Sequence, residues 1–201
     1  MIRGWLCALL LLMLAGCGGG ASVWHSSSGS NSNSFAAAYN LPKTHPDTLP
    51  ERHIVLLHPE SGEHLDAVYF HDGLYDPKVL RQINYLFRDR HMGVAGEIDP
   101  ELIDYLVDIR TRLGLPPTVT FEILSGYRTP ETNRRLAWHN AQVAKESLHM
   151  HGWAVDFRIA HVDGRAICEI AKTMQRGGVA YYPADNHVHV DLGNIRTWRQ
   201  K

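Results

Sequence analysis

Cysteine is scarce in this chain, and its placement excludes a fold held together by disulfides. The 201 residues contain three cysteines, of which Cys7 and Cys17 belong to the apolar N-terminal stretch. Cys168 is therefore alone in the rest of the chain and has no partner for an intramolecular disulfide. It lies in a helical apolar pattern, so we expect it to pack in the core as a small hydrophobic side chain rather than act as a catalytic thiol.

The chain also lacks an excess of charge and a long apolar run. Its 20 basic and 21 acidic side chains give a formal net charge of −1. This balance leaves no electrostatic footprint for nucleic acid. The apolar run at residues 6–14 is too short to span a bilayer comfortably. The length fits one ordinary domain with a real core.

The N-terminal stretch has the features of a processed export signal. The apolar run ends in Leu14-Ala15-Gly16-Cys17, which resembles the bacterial lipobox, where the cysteine becomes the first mature residue and carries lipid. This resemblance predicts a lipoprotein signal peptide over residues 1–16, lipidation at Cys17 and anchoring to a membrane surface in the periplasm. Gly18, in place of an aspartate, favours the outer membrane. The alternative is an ordinary secretory signal with an incidental cysteine.

The segment after the signal has little to bury. Residues 17–47 are rich in glycine, serine, asparagine and alanine, and segments of this composition behave as flexible linkers. We therefore predict a tether over residues 17–47 and a folded domain over residues 48–201.

The folded part mixes helical and strand patterns without a regular βαβ alternation. Asp76-Pro77 and Asp99-Pro100 each predict a helix start, because aspartate caps a helix and proline fits its first position. Further helices are predicted over residues 131–143 and 164–175, and strands over residues 54–57, 65–70, 119–124, 153–159, 179–182 and 187–192. The sequence thus predicts an α+β fold with a mainly antiparallel central sheet and flanking helices.

Polar and apolar residues alternate along the last of these strands. Side chains point to opposite faces of a strand in turn, so His187, His189 and Asp191 share one face while Val188 and Val190 share the other. Three polar groups on one face of a strand that is apolar behind indicate a site on the sheet face or a solvated outer face.

A second polar group lies earlier, around a glycine. Gly152 allows a bend that folds His149 back toward Asp156, and the small Ala154 leaves room for an ion. With His189, these residues offer two imidazoles and one carboxylate, a set that suits zinc on the sheet face, although other first-row metals accept it too. The helical His-Glu-x-x-His zinc motif is absent.

Spacing within these segments resembles a known group of enzymes. The pattern Ser-x-His-x-x-Gly-x-Ala-x-Asp at residues 147–156, followed by His-x-Asp at residues 189–191, resembles the zinc D-Ala-D-Ala metallopeptidase superfamily, which cleaves bacterial cell-wall peptides. The stretches at residues 125–133, 177–183 and 191–198 make the chain similar to the murein endopeptidase K family of periplasmic enzymes. The resemblance covers essentially the whole folded part.

The resemblance implies a ligand set and a nearby cation. One Zn²⁺ per chain would be held by His149, Asp156 and His189, and Arg128 matches the arginine that the family places beside the metal. A guanidinium there can stabilise the oxyanion that develops on an attacked amide carbonyl. The alternative is that Arg128 only caps its own loop through backbone carbonyls.

The general base is a separate question, because the usual residue is missing. The dipeptidase branch of the superfamily has a glutamate three residues before the last ligand, where this chain has Asn186. We predict His187 as the base, because it shares a strand face with His189 and because imidazole is the side chain most often used for proton transfer. A satisfied surface histidine at this position, or Asp185 as the base, are the alternatives.

A further set of residues is expected to support the ligands or contact substrate. Asp191 is expected to hold a ligand imidazole from behind. The residues predicted for this supporting role are Tyr127, Ser147, His151, Asn186 and Asp191.

These features together predict a lipid-anchored zinc endopeptidase that hydrolyses the peptide cross-links of peptidoglycan. One alternative is a D,D-carboxypeptidase or dipeptidase acting on D-Ala-D-Ala termini, which needs a closed pocket with a basic group. The other is a noncatalytic peptidoglycan-binding lipoprotein, whose sign would be a lost ligand. The sequence does not separate the link between two diaminopimelate residues from the link between D-Ala and diaminopimelate.

Overall fold

One eight-stranded sheet runs through the part of the chain that the structure describes, residues 50–141 and 143–199 of a computed structural model. The predicted signal peptide, the lipidation at Cys17 and the tether lie outside these residues. The strands are β1 (Arg52–His58), β2 (Glu63–His71), β3 (Leu74–Tyr75), β4 (Thr120–Ser125), β5 (Ala154–Ile159), β6 (Gly178–Tyr182), β7 (His187–Asp191) and β8 (Arg196–Arg199). Their order across the sheet is β3-β2-β1-β4-β5-β7-β6-β8.

The sheet is mixed, which corrects the expectation of a mainly antiparallel sheet. β1 pairs with β4 in parallel and β6 pairs with β8 in parallel, whereas the other neighbouring strands are antiparallel. β6 and β8 are parallel because the chain reverses direction between β6 and β7 and reverses again between β7 and β8. The α+β class itself is confirmed by four α-helices among the described residues together with this sheet.

Each of the four helices begins at a side-chain cap. The helices are α1 (Pro77–Leu86), α2 (Pro100–Arg112), α3 (Pro130–His139) and α4 (Gly164–Met174). The caps are Asp76, Asp99, Thr129 and Asp163, each of which accepts a hydrogen bond from a backbone N–H of the first turn. A proline follows the cap in α1, α2 and α3, where its missing N–H costs no hydrogen bond.

The core lies between the sheet and the helices α1, α2 and α4. α1 contacts β2, α2 contacts β1, and α4 contacts β6 and β7. The strands contribute buried apolar side chains to this core, among them Ile54, Leu56, Phe121, Ile123, Val155, Phe157, Val188 and Val190. The alternate positions of β5 and β7 are thereby left on the opposite face of the sheet.

Some elements differ from the sequence-based prediction. α3 ends at His139 rather than at residue 143, and residues 140–141 and 143–147 after it are neither helix nor strand. The strands β3 and β8 were not predicted, and they form the two edges of the sheet. Among the described residues, no helix has the length and apolar character needed to cross a membrane.

Candidate metal centre

The register of β5 and β7 places Asp156 directly opposite His189. These residues are partners in the antiparallel pairing, and the His189 Nδ1 lies 2.8 Å from the Asp156 Oδ1. Facing residues of an antiparallel pair have side chains on the same face, so both point away from the valines of the core. The two strands alone therefore supply one imidazole and one carboxylate to a common point.

The second imidazole comes from a short turn that ends in a left-handed glycine. A 3₁₀ helix over Leu148–His151 is closed by Gly152 at φ 70°. A Cβ atom on Gly152 would lie 1.8 Å from the Glu97 carbonyl oxygen, so this bend requires glycine for both backbone conformation and space. The turn directs His149 at the sheet, where its Nε2 lies 3.4 Å from the Asp156 Oδ2.

Each imidazole is held from behind by a hydrogen-bond acceptor. The Nδ1–H of His149 donates to the Gly126 carbonyl oxygen at 2.7 Å, and the Nε2–H of His189 donates to the Asp191 Oδ2 at 2.9 Å. This arrangement leaves the His149 Nε2 and the His189 Nδ1 directed at Asp156. One ligand atom from each of the three residues lies within 4.8 Å of the others, so the group fits a single cation.

Charge in this group is concentrated on Asp156. Burial alone would raise the pKa of its carboxyl, but His149 and His189 outweigh that effect and hold the pKa well below its usual range. Burial lowers the pKa of His149, which is enclosed almost completely. Burial acts in the same direction on His189, but its hydrogen bonds to Asp156 and Asp191 raise the pKa of the ring. A carboxylate that stays ionised beside two imidazoles is the chemical form that binds a divalent metal.

Arg128 is tied to the centre through Asp156. Its Nη2 donates to the Asp156 Oδ2 at 2.7 Å, and its Nε donates to the Ser125 Oγ at 2.8 Å. The Arg128 backbone N–H donates to the His149 carbonyl oxygen at 3.1 Å. The guanidinium thus contacts one of the three predicted ligands and also lines the cleft.

His187 lies on the cleft wall between an aromatic ring and a carboxylate. Its ring stacks on Tyr182, with centroids 4.3 Å apart and an interplanar angle of 8°. The Nδ1–H donates to the Asp185 Oδ1 at 2.7 Å, which leaves the lone pair on Nε2. Of the two residues considered for the base, His187 lines the cleft and Asp185 supports it.

The residues predicted to support the ligands or contact substrate fall into two groups, those that line the cleft and those that do not. Ser147 is buried and lines the cleft, and Asp191 is fully buried against His189. His151 is exposed and packs beside Trp153, outside the residues that line the cleft. Tyr127 packs over Gly96, where an added Cβ would meet its ring at 2.3 Å.

Asn186 has a different environment from the one predicted. It adopts φ 55°, and its Oδ1 accepts from the Gly164 N–H at 2.9 Å while its Nδ2 donates to the Val162 carbonyl oxygen at 3.0 Å. Asparagine tolerates this left-handed conformation better than most residues. Its amide therefore joins the β6–β7 turn to the start of α4, away from the cleft.

Several cleft residues were missing from the predicted set, and three of them lie on β6 and β8. The cleft has a volume of about 520 Å³, and its wall includes Tyr182, Arg196 and Trp198. The Trp198 Nε1 donates to the Tyr182 hydroxyl at 3.2 Å, and the Trp198 ring lies 5.1 Å from that of His189. Arg196 and Trp198 are two residues apart in β8, and this spacing is the sequence signal that could have placed them on one face of a strand.

Two imidazoles and one carboxylate that converge in a cleft, beside a histidine able to move a proton, are typical of mononuclear metallohydrolases. Comparison with known proteins narrows this class. The family described as "Peptidoglycan L,D-endopeptidase MepK" matches residues 47–198, and the chain belongs to this family.

Two curated relatives agree with the family match. A Haemophilus influenzae protein named "Probable peptidoglycan L,D-endopeptidase MepK" is 36% identical over 167 residues, which cover 83% of this chain and 86% of that protein. The Escherichia coli K12 protein named "Peptidoglycan L,D-endopeptidase MepK" is 38% identical over 141 residues, which cover 69% of this chain and 75% of that protein. The crystal structure of Serratia marcescens L-Ala D-Glu endopeptidase ChiX covers 47% of this chain and 80% of its own at 16% identity, and its TM-score of 0.34 is too low to bear on the site.

Proposed function

We propose that this protein is a zinc-dependent murein endopeptidase, which hydrolyses peptide cross-links of peptidoglycan during remodelling of the cell wall. The observation that carries the proposal is the convergence of His149, Asp156 and His189 on one point in a cleft. Membership of the peptidoglycan L,D-endopeptidase family supports the substrate class.

The three residues fit a catalytic rather than a structural zinc. Structural zinc sites take four protein ligands, whereas catalytic sites take three and keep a position for water or substrate. When bound here, zinc would polarise the scissile carbonyl and lower the pKa of a water molecule. The protein supplies orientation, because Gly126 and Asp191 fix the ring of each histidine ligand.

His187 is the residue that we assign to proton transfer. Asp185 holds the Nδ1–H, so the Nε2 is the atom able to accept a proton from water. The same nitrogen then donates that proton to the leaving amine. Stacking on Tyr182 keeps the ring on the cleft wall through both steps.

Arg128 is assigned two tasks by its position. Its bond to Asp156 holds that carboxylate in place, and its positive charge beside the ligands favours an oxyanion formed on the substrate carbonyl. This second task rests on electrostatics, since a fixed guanidinium stabilises developing negative charge without reorganising.

A carboxypeptidase fits the cleft less well. That activity needs a basic group that can bind a terminal carboxylate. The two arginines of the cleft wall, Arg128 and Arg196, already bind the carboxylates of Asp156 and Asp191. The relatives are named L,D-endopeptidases, so we propose an L,D bond as the one cut here. The link between two diaminopimelate residues contains such a bond.

We further propose that the enzyme acts from a lipid anchor at Cys17, on the periplasmic side of the outer membrane. The lipobox-like Leu14-Ala15-Gly16-Cys17 and the small polar residues that follow it support this location. Mass spectrometry of the N-terminal peptide from membranes tests it. A Cys17→Ser variant is the control, and an unmodified Cys17 in the wild-type protein contradicts the anchor.

Digestion of purified cross-linked muropeptides tests the activity. The zinc-loaded protein is expected to convert dimers to monomers, and a chelator is expected to stop the reaction until zinc is restored. His189→Ala is expected to abolish cleavage, whereas His64→Ala, on the exposed side of β2, is the matched control. Dimers that persist while free pentapeptides shorten would contradict endopeptidase action, and full activity in His189→Ala would contradict the metal site.

A further inference from the structure

Arg196 and Asp191 form a two-pronged ion pair behind the metal centre. The Arg196 Nη1 donates to the Asp191 Oδ1 at 3.0 Å, and its Nη2 donates to the Asp191 Oδ2 at 2.7 Å. Asp191 is fully buried, whereas Arg196 reaches it from the partly exposed edge strand β8. A buried carboxylate requires charge compensation of this kind, and paired parallel hydrogen bonds also fix its orientation.

Each oxygen of Asp191 has further partners besides one nitrogen of the Arg196 guanidinium. The Oδ1 accepts from the backbone N–H groups of Gly178 and Gly193, each at 2.9 Å. The Oδ2 accepts from the His189 Nε2 and the Arg196 Nη2. Because Arg196 and His189 share one oxygen, the guanidinium sets the position of the atom that aligns the imidazole.

Glycines around the pair leave room for it. A Cβ atom on Gly178 would lie 2.4 Å from the Asp191 Oδ2 and 2.6 Å from the Arg196 Nη1. A Cβ atom on Gly193 would lie 3.1 Å from the Asp191 Oδ1. The space that the guanidinium occupies beside the carboxylate therefore depends on missing side chains in two separate segments.

From these contacts we infer that Arg196 is a positioning residue of the metal centre. It acts through Asp191, whose Oδ2 it holds against the His189 Nε2, so that the His189 Nδ1 faces the cation. The inference rests on the proposed function, since it assigns a task toward the zinc ion of that proposal. It also gives β8 a purpose beyond closing the edge of the sheet.

Zinc affinity, measured by competition with a chromophoric chelator, tests this inference on the full-length protein. Arg196→Ala is expected to raise the Zn²⁺ dissociation constant about 10- to 100-fold, the usual effect of removing a partner behind a ligand. Arg196→Lys is expected to recover part of the affinity, because an ammonium keeps the charge but cannot make two parallel hydrogen bonds. The visible spectrum of the Co²⁺-substituted protein is expected to shift in both variants.

The matched control is another two-pronged pair in the same molecule. Arg88 binds Glu63 through Nη1 and Nη2 at 3.1 and 2.9 Å, among residues outside the metal cleft. Arg88→Ala is expected to leave Zn²⁺ affinity unchanged, and thermal unfolding of the metal-free variants separates loss of stability from loss of alignment. Gly178→Ala, which intrudes on the same pair, is expected to weaken Zn²⁺ binding and replaces Arg196→Ala if that variant does not fold.

Two results would overturn the inference alone. One is a wild-type protein that binds Zn²⁺ and cleaves dimers, with an Arg196→Ala variant of equal affinity. The other is an equal loss of affinity in Arg88→Ala. A wild-type protein that takes up no Zn²⁺ contradicts the proposed function itself, so the two failures are distinct.

Discussion

Tyr182 lies flat against His187 across the β6–β7 pair, with ring centroids 4.3 Å apart. The Tyr182 hydroxyl accepts a hydrogen bond from the Trp198 Nε1, so the three aromatic rings link β6, β7 and β8 along one wall of the cleft. A histidine held by stacking on one side and by Asp185 on the other has a fixed ring orientation. This orientation is what a proton acceptor requires.

We predict that His187→Ala lowers kcat on cross-linked muropeptides by about 10²- to 10⁴-fold, because general base catalysis contributes about this much. Zinc affinity is expected to stay at the wild-type level, since His187 is held by Asp185 and Tyr182 rather than by one of the three predicted ligands. Steady-state kinetics and zinc titration of the same preparation measure both quantities. A wild-type kcat in this variant would contradict the assignment of His187 as the general base.

The stacked ring predicts a graded response at position 182. Tyr182→Phe keeps the ring and loses only the hydroxyl that Trp198 contacts, so kcat is expected to stay close to wild type. Tyr182→Ala removes a stacking contact worth about 0.5–1.5 kcal/mol and is expected to lower kcat up to about tenfold. Separate kcat and KM values check this order, and equal losses in both variants would show that the hydroxyl, rather than the stack, matters.

We predict that the Gly152→Ala substitution impairs both folding and metal binding. Gly152→Ala forces an L side chain into φ 70° and places its Cβ 1.8 Å from the Glu97 carbonyl oxygen, so we expect destabilisation above about 3 kcal/mol. Gly62 is the matched control, because it has φ 69° with no atom within 4 Å of an added Cβ. Gly62→Ala is expected to cost only about 1–2 kcal/mol from the backbone. Urea denaturation measures the free energy of unfolding of both variants. Similar losses in the two would mean that the backbone at Glu97 moves to accommodate the added Cβ.

We predict that protonation of Asp89 lowers the stability of the fold in acid. Burial alone would raise the pKa of its carboxyl, but hydrogen bonds that include the Thr129 backbone N–H and hydroxyl, and the Met92 N–H, hold the pKa at about 2. Because the folded pKa lies below the unfolded value of 3.8, this stabilisation is present above pH 4 and is lost as the pH falls toward 2. The shift corresponds to about 2 kcal/mol.

Denaturation at several pH values checks the contribution of Asp89. Asp89→Asn is expected to lower the free energy of unfolding by about 2–3 kcal/mol at neutral pH and to flatten its fall between pH 4 and 2. Asp72→Asn is the control, because the Asp72 side chain is 84% exposed. An Asp89→Asn variant with the wild-type acid profile would assign the loss to other carboxylates.

Much of the geometry near the site follows from short-range patterns. Alternation along β7 separated His189 and Asp191 from Val188 and Val190, and the structure has this division. The bend at Gly152 was also predictable, since a left-handed residue favours glycine. Patterns of this kind depend on neighbouring residues, which the sequence displays directly.

Features that depend on distant partners were not predictable in the same way. β8 is a short edge strand whose parallel pairing with β6 is a long-range register, so Arg196 and Trp198 were not included among the predicted site residues. The amide of Asn186 bonds groups of Val162 and Gly164, more than twenty residues earlier in the chain. No local pattern marks such a contact, and Asn186 was therefore grouped with the site.

The pairing of Asp156 with His189 has a consequence for how this protein can change in evolution. Inserting or deleting a single residue in β5 or β7 would exchange the two faces of the strand. Polar side chains of the site would then point into the hydrophobic core, and valines would be exposed to solvent. Catalytic machinery and interior packing would fail in the same step. Changes in length are therefore tolerable in the exposed turns between strands. In β5 and β7, only substitutions that keep the number of residues unchanged are tolerable.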